Sequence, residues 1–525
     1  MSDVGTLFEP RSRPSPASRI ASAPSEVDPI RSKPSSLVVV SNRLPYDLGR
    51  PGASTRRNVG GLVNALEPVF DRLGGVWVGW DGLTLPSGRA VSEMLAHPRS
   101  MTLPSGRELF GVPLSERELS RYYNGLCNRA LWPLLHDFPD KGTFVTEDWE
   151  TYVEINRRFA AITAEHAQDG GRIWVHDYQL TLVPRFLREL GFTGPIDFFL
   201  HTPFPPTEIF RALPWRSEVL DGLLAADTVV FHTTRYRDNF VDAACSLGPA
   251  MPVGRGGREP VDLTHRSGST RVAAEPIGID VEGFTALAAS PEARSRARRI
   301  RAAYGERAIV FGAERLDYTK GVLERLLAVE RLLRLHPETA GTFVLVQVVV
   351  PSRHVVEEYR RMKREIDREV GRINGEFGVD GWQPVHYRYR ALDRAELVAH
   401  FLAASVALVT PLRDGMNLVA AEFAASRIDG GGVLVLSEFA GIADVIDGAL
   451  LVNPNDIESL AATVHRALRM PPEEQQARMN RMRPAILANP ARAWAERCLT
   501  VGSSSRRASA SDASAAAQPI PRNAT

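Results

Sequence analysis

Cysteine is scarce in this chain, and its pattern excludes a disulfide scaffold and a thiolate metal site. The 525 residues contain three cysteines, Cys127, Cys245 and Cys498, which stand far apart and form no CxxC pair. Disulfide frameworks and zinc ribbons need cysteines that are even in number or closely spaced. We therefore expect three buried, reduced thiols in a protein of the cytoplasm.

Long apolar runs and an excess of one charge are also lacking. The longest aliphatic stretches, such as Phe343–Val350, fall far short of the roughly 18 residues that a membrane-spanning helix needs. The N-terminus has no apolar core of the kind that marks a secretory signal. Lysine and arginine (63) balance aspartate and glutamate (62), so the formal net charge is +1. That balance gives no bulk attraction to nucleic acid or to a membrane, and we expect neither as a partner.

The two ends of the chain differ in composition from its middle. Residues 1–36 are rich in Ser, Pro and Arg, and residues 502–525 consist mostly of Ser, Ala and Arg. Neither segment has enough apolar surface to offset the entropy lost on ordering, so both are predicted to be disordered tails.

Between the tails, short aliphatic runs alternate with helical patterns at Val322–Leu335, His354–Arg372 and Asp456–Met470. Uninterrupted apolar runs predict strands covered on both faces, as in the parallel sheets of α/β proteins. Such strands are predicted at Leu37–Val40, Val76–Val78, Ile173–Val175, Ile196–Leu200, Thr228–Phe231, Ala308–Phe311, Thr342–Val350, Val406–Thr410, Val433–Leu436 and Leu450–Val452. Two doubly wound sheets follow, with ligands expected at the carboxyl ends of the strands.

A domain boundary is predicted after the polar, glycine-rich segment 251–270, which we interpret as a flexible loop. The segment 275–280 is interpreted as the hinge into the second domain. The first domain then comprises residues 37–274 and the second residues 275–485. A C-terminal helix over 486–501 is expected to return to the first domain.

The most informative motif is Glu314-Arg315-Leu316-Asp317-Tyr318-Thr319-Lys320-Gly321, which lies between a predicted strand and a predicted helix. Arg315 offers a planar fork of donors, and Lys320 offers a compact ammonium. Two cations at a helix N-terminus hold the charge that develops on a diphosphate leaving group without a metal. The alternative interpretation is an exposed loop with ordinary ion pairs.

A second motif, Asp414-Gly415-Met416-Asn417-Leu418-Val419-Ala420-Ala421-Glu422, directly follows a predicted strand. Gly415 permits a sharp turn, and Asn417 is a candidate cap for the helix that follows. Asp414 is placed to accept from sugar hydroxyls, and Glu422 to accept from both ribose hydroxyls. A plain turn aspartate is the alternative, but both carboxylates lie at the expected ligand-binding edge.

In the first half, polar motifs again follow predicted strands. Ser41-Asn42-Arg43 ends the first strand, Gly60-Gly61 opens a helix, and His176-Asp177-Tyr178 and His201 follow two further strands. A glycine pair is more often a packing feature than a phosphate site, and a single histidine is usually structural. No His, Cys, Asp or Glu cluster has the spacing of a metal site, so no metal is expected.

Together these segments resemble the trehalose-6-phosphate synthase family, which are retaining glycosyltransferases of the GT-B fold. The resemblance extends from about Leu37 to about Cys498. It implies an α/β protein with two Rossmann-like domains that face a central cleft. The motifs that carry it are VVVSNR, GGL, GGVWVGW, YYNGLCNRALWP, HDYQLTLVP, FFLHTPFP, ERLDYTKG, PSR, GRINGEFG, TPLRDGMNLVA and LSEFAG.

The resemblance assigns residues to an acceptor site. Three of them match the family's 6-phosphate contacts, and three match the residues that line the acceptor sugar. They are Arg43, Tyr123 and Arg353 for the phosphate, and Trp80, Trp132 and Asp177 for the sugar.

A donor site is assigned in the same way, with its diphosphate, glucose and ribose contacts. The matching residues are Gly61, Arg315, Lys320, His201, Asp414, Gly415, Met416, Asn417, Leu418 and Glu422. Four of these, His201, Arg315, Lys320 and Asp414, are expected to contact the reacting groups.

The family transfers glucose with retention from UDP-glucose, or from GDP- or ADP-glucose in some members, to glucose 6-phosphate. UDP-glucose is the expected co-substrate here, and neither a cofactor nor a metal is expected. No carboxylate nucleophile is evident, which fits a front-face mechanism in which the leaving phosphate accepts the acceptor's proton. The chain has no DxDGT-type phosphatase segment, so a separate phosphatase is expected. A homo-oligomer is left open.

Three departures from the family pattern concern donor choice and packing. Gln179 stands where many members have His, and Ala421 replaces a usual Lys before Glu422. The stretch Arg56-Arg57-Asn58-Val59 lacks the small residue that usually precedes the glycine pair. We expect these changes to affect kinetics and donor preference more than the reaction.

Two alternatives remain open from the sequence. One is a glucosyltransferase acting on another phosphorylated acceptor, such as glycerol 3-phosphate. The other is a non-catalytic family member that senses sugar phosphates. Retention of Arg43, Tyr123 and Trp132 favours a hexose phosphate, and retention of Arg315, Lys320, Asp414 and Glu422 favours an enzyme.

Overall fold

The aliphatic runs of the middle segment form two sheets in the computed structural model. The structure describes residues 35–48, 56–57, 63, 66–67, 69–70, 74–86, 88–96, 99–253, 260–352 and 357–501. Of the predicted tails 1–36 and 502–525, residues 1–34 and 502–525 lie outside this range, whereas Ser35 and Ser36 begin a strand and correct the predicted boundary. All ten predicted strands are present, and several are longer than predicted.

The first sheet has ten strands. They are β1 (Ser35–Arg43), β4 (Val76–Leu85), β5 (Ser100–Thr102), β6 (Glu108–Ser115), β7 (Ala167–His176), β8 (Ile196–Phe199), β9 (Thr228–Phe231), β10 (Met251–Val253), β11 (Val261–His265) and β12 (Gly268–Ala274), while β2 (Tyr46–Asp47) and β3 (Arg56–Arg57) form a small separate ribbon. The order across the sheet is β10-β11-β12-β9-β8-β7-β1-β4-β6-β5. Its pairs are parallel except at the two ends, where β5 runs antiparallel to β6, and β11 antiparallel to β10 and β12. The strand order reverses between β1 and β7, where ligands bind in doubly wound sheets.

The second sheet has six parallel strands. They are β13 (Ala308–Arg315), β14 (Phe343–Val350), β15 (Val385–Tyr389), β16 (Val406–Val409), β17 (Val433–Ser437) and β18 (Leu450–Val452). Their order, β15-β14-β13-β16-β17-β18, is the 3-2-1-4-5-6 order of a Rossmann fold. The order reverses between β13 and β16, so the loops that follow these two strands flank the expected ligand-binding crevice.

Helices cover the faces of both sheets. The α-helices with described bounds are Gly88–Ala96, Glu116–Leu119, Trp132–Leu135, Thr146–His166, Val183–Glu189, Thr207–Phe210, Arg216–Leu224, Thr234–Leu247, Val281–Ala289, Pro291–Tyr304, Val322–Leu335, Glu357–Phe377, Arg394–Ala403, Leu418–Ser426, Ile457–Leu468 and Pro472–Leu487. Ser120–Leu131 forms a π-helix, and single 3-10 turns lie at Pro139–Lys141, Tyr178–Leu180, Tyr318–Lys320, Pro337–Thr339 and Gly441–Asp444. Within the part of the chain that the structure describes, no helix is both long enough and apolar enough to cross a bilayer.

Some sequence-based predictions are wrong. The segment 251–270 is not a plain loop, because β10, β11 and the start of β12 form a ladder at the sheet edge, although residues 254–259 lie outside the description. Strand β6 was not predicted, since Gly111 and Pro113 interrupt its apolar run. Cys127 and Cys498 are buried, but Cys245 is partly exposed.

The C-terminal segment packs on the first sheet. Residues 491–501 are helical, and Trp494 is fully buried with its ring 5.4 Å from that of Trp174 on β7 and 5.0 Å from that of Phe199 on β8. Ala491 N also donates to Ile279 O at 2.9 Å. The chain therefore crosses twice between the parts that hold the two sheets, while the domain division at 274/275 stays a prediction.

Candidate active site

Lys320 and Asp414 meet at the crevice of the second sheet. Lys320 follows β13, Asp414 follows β16, and the Nζ of Lys320 donates to Asp414 Oδ2 at 2.7 Å. Gly321 has a φ of +65°, and a Cβ there would lie 2.2 Å from Thr410 O, so only glycine lets the loop after β13 approach β16 this closely. The helix Val322–Leu335 begins at the next residue.

Asp414 is held as a carboxylate by its neighbours. Burial alone would raise the pKa of Asp414, but the Lys320 ammonium, and more weakly Arg315, outweigh that effect and lower it below its ordinary value. Asn417 Nδ2 donates to Asp414 Oδ2 at 3.0 Å, and Tyr236 OH donates to the Asp414 backbone oxygen at 3.0 Å. Tyr236 belongs to the first half, so residues of both halves hold Asp414 in place.

Two expectations for this motif need correction. Asn417 occupies the N-cap position of the helix Leu418–Ser426 with φ +69°, but its side chain makes no capping hydrogen bond and instead donates to Asp414. Gly415 does not have the left-handed backbone of a sharp turn. It is required for close packing, because a Cβ there would lie 2.3 Å from His201 O.

Three histidines of the first half lie next to the segment that holds Asp414 and Gly415. His176 Nδ1 and His201 Nε2 are 3.1 Å apart, and His232 Nε2 lies 3.1 Å from His201 O. Burial lowers the pKa of His176 to about 3 and that of His232 to about 4. Burial, and then the two neighbouring histidines, also lower the pKa of His201 well below its ordinary value. The cluster is therefore neutral near pH 7 and provides hydrogen bonds rather than charge.

The predicted acceptor residues gather where β1, β4 and β7 end. Arg43 closes β1, lies 5.1 Å above the Trp80 ring and pairs with Asp47 at 2.9 Å. Asp177 has φ +77°, a strained backbone for a residue other than glycine, and its Oδ1 accepts from the His201 backbone N–H at 3.3 Å. Tyr123 is half-buried on the π-helix Ser120–Leu131, a helix type that is frequent at functional sites.

Trp132 connects these two groups of residues. Its indole Nε1 donates to Asp317 Oδ1 at 3.3 Å, and the guanidinium of Arg315 lies 5.8 Å from its ring. Further contacts join the two halves, including the ion pair of Arg413 with Asp137 at 2.8 Å. The carboxyl edges of the two sheets therefore face each other, with the candidate donor and acceptor residues between them.

Other predicted residues lie beside this group or outside the description. Met416 is buried, and Leu418 begins the helix that carries Glu422, whose pKa burial raises to about 8 against the opposing charge of Arg394. Gly61 and Arg353 lie outside the described residues, as do Asn58, Val59 and Gly60. Arg56 pairs in register with Asp47, which ties the start of that loop to the partner of Arg43.

Sequence reasoning missed several residues of this region. His136 is buried next to Trp132, with Nδ1 2.8 Å from the Trp132 oxygen, and its pKa is lowered to about 3, first by burial and then by Lys320. Asp317 was left without a role, although Thr319 N and Oγ1 both donate to its Oδ1. The motif WPLLH places His136 one helical turn after Trp132, which is the signal that could have identified it.

A third missed group is buried between β13, β14 and the helix Val322–Leu335. Arg325 is fully buried, and its guanidinium lies 3.6 Å from Glu314 Oε1 and donates to Gln347 Oε1 at 2.9 Å. Burial raises the pKa of Glu314 to about 7, with Arg325 opposing it. A Cβ on Gly312 would lie 2.5 Å from Arg325 Nη1, so glycine in β13 makes room for this group.

Comparison with known proteins gives matches along nearly the whole chain. The sequence pattern of glycosyltransferase family 20 matches residues 35–501. The trehalose-6-phosphate synthase of Mycobacterium avium (strain 104) is 46% identical over 472 residues, which cover 88% of this chain and 94% of that protein.

Solved structures agree with this result. A UDP-forming alpha,alpha-trehalose-phosphate synthase from Burkholderia xenovorans, crystallised with glucose-6-phosphate, has a TM-score of 0.81 and 33% identity, covering 89% of this chain and 99% of that one. A structure described as trehalose-6-phosphate from E. coli bound with UDP-2-fluoro glucose has a TM-score of 0.79 and 34% identity, covering 93% and 100% of the two chains.

Proposed function

The chain belongs to glycosyltransferase family 20, and we propose that it is an α,α-trehalose-6-phosphate synthase that uses UDP-glucose as donor. Its fold is the α/β, GT-B arrangement of two Rossmann-like sheets that the resemblance implies. One observation carries the proposal: Lys320 pairs with Asp414 in the second half, while Asp317, in the same loop as Lys320, accepts from Trp132 of the first half. A nucleotide-sugar is the co-substrate.

The donor site is proposed at the crevice between β13 and β16. Arg315 and Lys320 take the diphosphate, Gly61 adds backbone N–H contacts, and Glu422 takes the ribose. The glucose lies against Asp414, His201 and the 415–418 segment. Because Lys320 is within 2.7 Å of Asp414, a bound diphosphate draws on an ammonium that is already positioned.

The acceptor site is proposed at the edge of the first sheet. Arg43, Tyr123 and Arg353 hold the 6-phosphate, and Trp80, Trp132 and Asp177 line the sugar. Support comes from Arg43, whose guanidinium is exposed at the end of β1 beside the Trp80 ring. An exposed arginine at a strand end, here paired with Asp47, can form the bidentate contacts that phosphate prefers.

The proposed reaction proceeds on one face of the donor sugar. The bond from glucose C1 to the diphosphate oxygen breaks, and a bond from C1 to the acceptor's anomeric oxygen forms. The acceptor's proton passes to the leaving diphosphate, which gives UDP and α,α-trehalose 6-phosphate. Arg315 and Lys320 stabilise the charge that develops on the diphosphate, and neutral His201 offers a hydrogen bond without a competing charge.

The test is an assay of UDP release with two acceptors. We expect turnover with glucose 6-phosphate and an α,α-linked product by NMR, whereas turnover with glycerol 3-phosphate alone would replace this proposal by the other acceptor class. Absence of turnover with UDP-, GDP- and ADP-glucose would favour a sugar-phosphate sensor.

Three further parts of the proposal concern the setting of the enzyme. No metal is needed for transfer, so EDTA should leave turnover unchanged, and loss of turnover that Mg²⁺ restores would contradict this.

The proposed reaction takes place in the cytoplasm, and a separate phosphatase acts on the product. Residues 37–274 and 275–485 are proposed to close on each other about the 275–280 segment.

A further inference from the structure

Two histidines and one glutamate come together at the far end of the helix that starts at the donor loop. His336 is the C-cap residue of the helix Val322–Leu335, Glu338 lies in the 3-10 turn that follows, and His465 lies in the last turn of Ile457–Leu468. One potential ligand atom from each residue lies within 4.8 Å of the other two. Fourteen helical residues span about 21 Å, so this cluster is well separated from Lys320.

The local chemistry favours a cation. Imidazole nitrogens and a carboxylate oxygen are ligands that Zn²⁺ prefers. His336 and His465 both lie at helix C-termini, where the last carbonyl groups carry negative partial charge. In addition, His465 Nε2 is buried and has no hydrogen-bond partner among the described residues. Buried polar atoms of this kind are usually satisfied, so this nitrogen needs an explanation.

Metal binding requires the two imidazole rings to rotate out of their present stacked arrangement. The His336 and His465 rings are stacked with centroids 3.7 Å apart and planes 18° apart, and His336 Nδ1 is 3.3 Å from Glu338 Oε1. With Zn–N distances near 2.0–2.1 Å, tetrahedral ligand atoms lie about 3.3 Å apart. The two rings must therefore tilt so that their nitrogens converge, which side-chain rotation allows because all three residues reach the surface.

One neighbouring charge opposes a cation here. Arg469 is near enough to interact electrostatically with His465, while Glu338 acts in the opposite sense. The carboxylate of Glu338 is therefore needed to offset the arginine as well as to bind.

We propose that His336, Glu338 and His465 form a Zn²⁺ site, with water completing the coordination. The ion ties the C-terminal end of Val322–Leu335 to that of Ile457–Leu468. Because Val322–Leu335 begins next to Lys320 and Gly321, the site stabilises the helix on which the donor loop rests. The role is structural, and it is independent of the proposed reaction.

The test uses the full-length, untagged protein freed of metal by chelation. Calorimetric titration with Zn²⁺ should give one equivalent bound per chain, and Zn²⁺ at about a hundredfold excess over Kd should raise the Tm by roughly 2–4 °C. His336→Ala and His465→Ala should each remove both effects, and Glu338→Gln should weaken binding about tenfold. His265→Ala, which changes a partly exposed histidine of the first sheet, should leave them unchanged.

Visible absorption of the Co²⁺-loaded protein gives a second measurement that does not depend on stability. Bands of four- or five-coordinate Co²⁺ should be seen in the wild type and His265→Ala, and be lost in His336→Ala and His465→Ala. Absence of stoichiometric Zn²⁺ binding would overturn the proposal. Binding that persists unchanged in both histidine variants would equally overturn it, since it would show an adventitious ion only.

Discussion

The indole Nε1 of Trp132 donates a 3.3 Å hydrogen bond to Asp317 Oδ1, although the two residues are 185 positions apart. Asp317 Oδ1 also accepts from Thr319 N at 3.1 Å, and so holds the turn that ends at Lys320. Trp132 is a proposed wall of the acceptor sugar, and Lys320 a proposed contact of the donor diphosphate. One carboxylate therefore connects the two proposed substrate sites.

Trp132→Phe should show how much this connection contributes. The phenyl ring keeps an aromatic wall but removes the N–H, so a net loss of about 1 kcal/mol, or roughly fivefold in kcat/KM, is expected. The KM values for both substrates should change, because the bond joins both sites. Steady-state kinetics with each substrate varied in turn measure this. Trp215→Phe, in a ring stacked on Trp149 at 5.0 Å, is the matched control. An effect confined to the acceptor KM would argue against coupling through Asp317.

Arg315→Ala should remove transfer without affecting the fold. The Arg315 side chain is exposed at the end of β13, so its removal leaves no buried group unsatisfied. Loss of one group that stabilises developing charge costs about 3–4 kcal/mol, or roughly 10²–10³ in kcat. The Tm should stay within about 1 °C of wild type. Arg296→Ala, at a partly exposed arginine paired with Glu292, should retain full activity. Near-normal turnover of Arg315→Ala would contradict the proposed diphosphate site.

Much of the second sheet could be predicted from the sequence, because its strands are buried on both faces and their apolar runs are uninterrupted. The helix Val322–Leu335 is predicted with its observed bounds, since Gly321 precedes it and its apolar residues recur with helical spacing. The positions of Lys320 and Asp414 at strand ends followed from the same pattern, so their proximity was a direct consequence of the parallel topology.

Other features depend on partners that are distant in sequence and therefore left no local signal. Trp132 and Asp317 are 185 positions apart, and His465 is more than a hundred residues from His336. Asn is a common N-cap residue, yet the left-handed backbone of Asn417 directs its side chain to Asp414. Of the family departures, Gln179 lies in the buried 3-10 turn Tyr178–Leu180, where its backbone oxygen accepts from Asn156, and Ala421 is buried in its helix. The surroundings of Gln179 and Ala421 could not be inferred from residue type alone.

Glu422 contributes stability that is lost as pH rises from about 5 to 8, whereas the buried histidines, whose pKa values are lowered, act in the opposite sense below about pH 6.5. Its pKa is about 8 in the folded protein against an ordinary value of 4.5. Between these values the folded state keeps a proton that the unfolded chain has lost, so the contribution of Glu422 to the free energy of unfolding falls with pH and levels off above about pH 8. Glu314, with a pKa of about 7, acts in the same direction.

Glu422→Gln removes this contribution, because glutamine does not titrate. The difference between the Tm of the variant and that of the wild type should therefore increase in favour of the variant from pH 5 to 8, as measured by calorimetry at constant ionic strength. Glu189→Gln, at an exposed glutamate paired with Arg185, should follow the wild-type curve. Parallel curves for Glu422→Gln and the wild type would show that Glu422 is already ionised in the folded state at neutral pH.

Gly415→Ala should disrupt the contact between the two halves where the donor glucose is proposed to bind. A Cβ on Gly415 would lie 2.3 Å from His201 O and 3.3 Å from His232 Cδ2, and a backbone oxygen cannot move aside as a flexible side chain can. Overpacking of this kind costs about 1–3 kcal/mol, and relieving it must separate Asp414 from the His201 segment. We therefore expect a lower urea midpoint and a loss of turnover of at least tenfold.

The matched control is Gly375→Ala, inside the helix Glu357–Phe377, where a Cβ would meet nothing within 4 Å. Alanine is favoured over glycine within a helix by about 0.5–1 kcal/mol, so this variant should be slightly stabilised and fully active. If Gly415→Ala kept wild-type turnover, the close approach of the 414–418 segment to His201 would not be required for transfer.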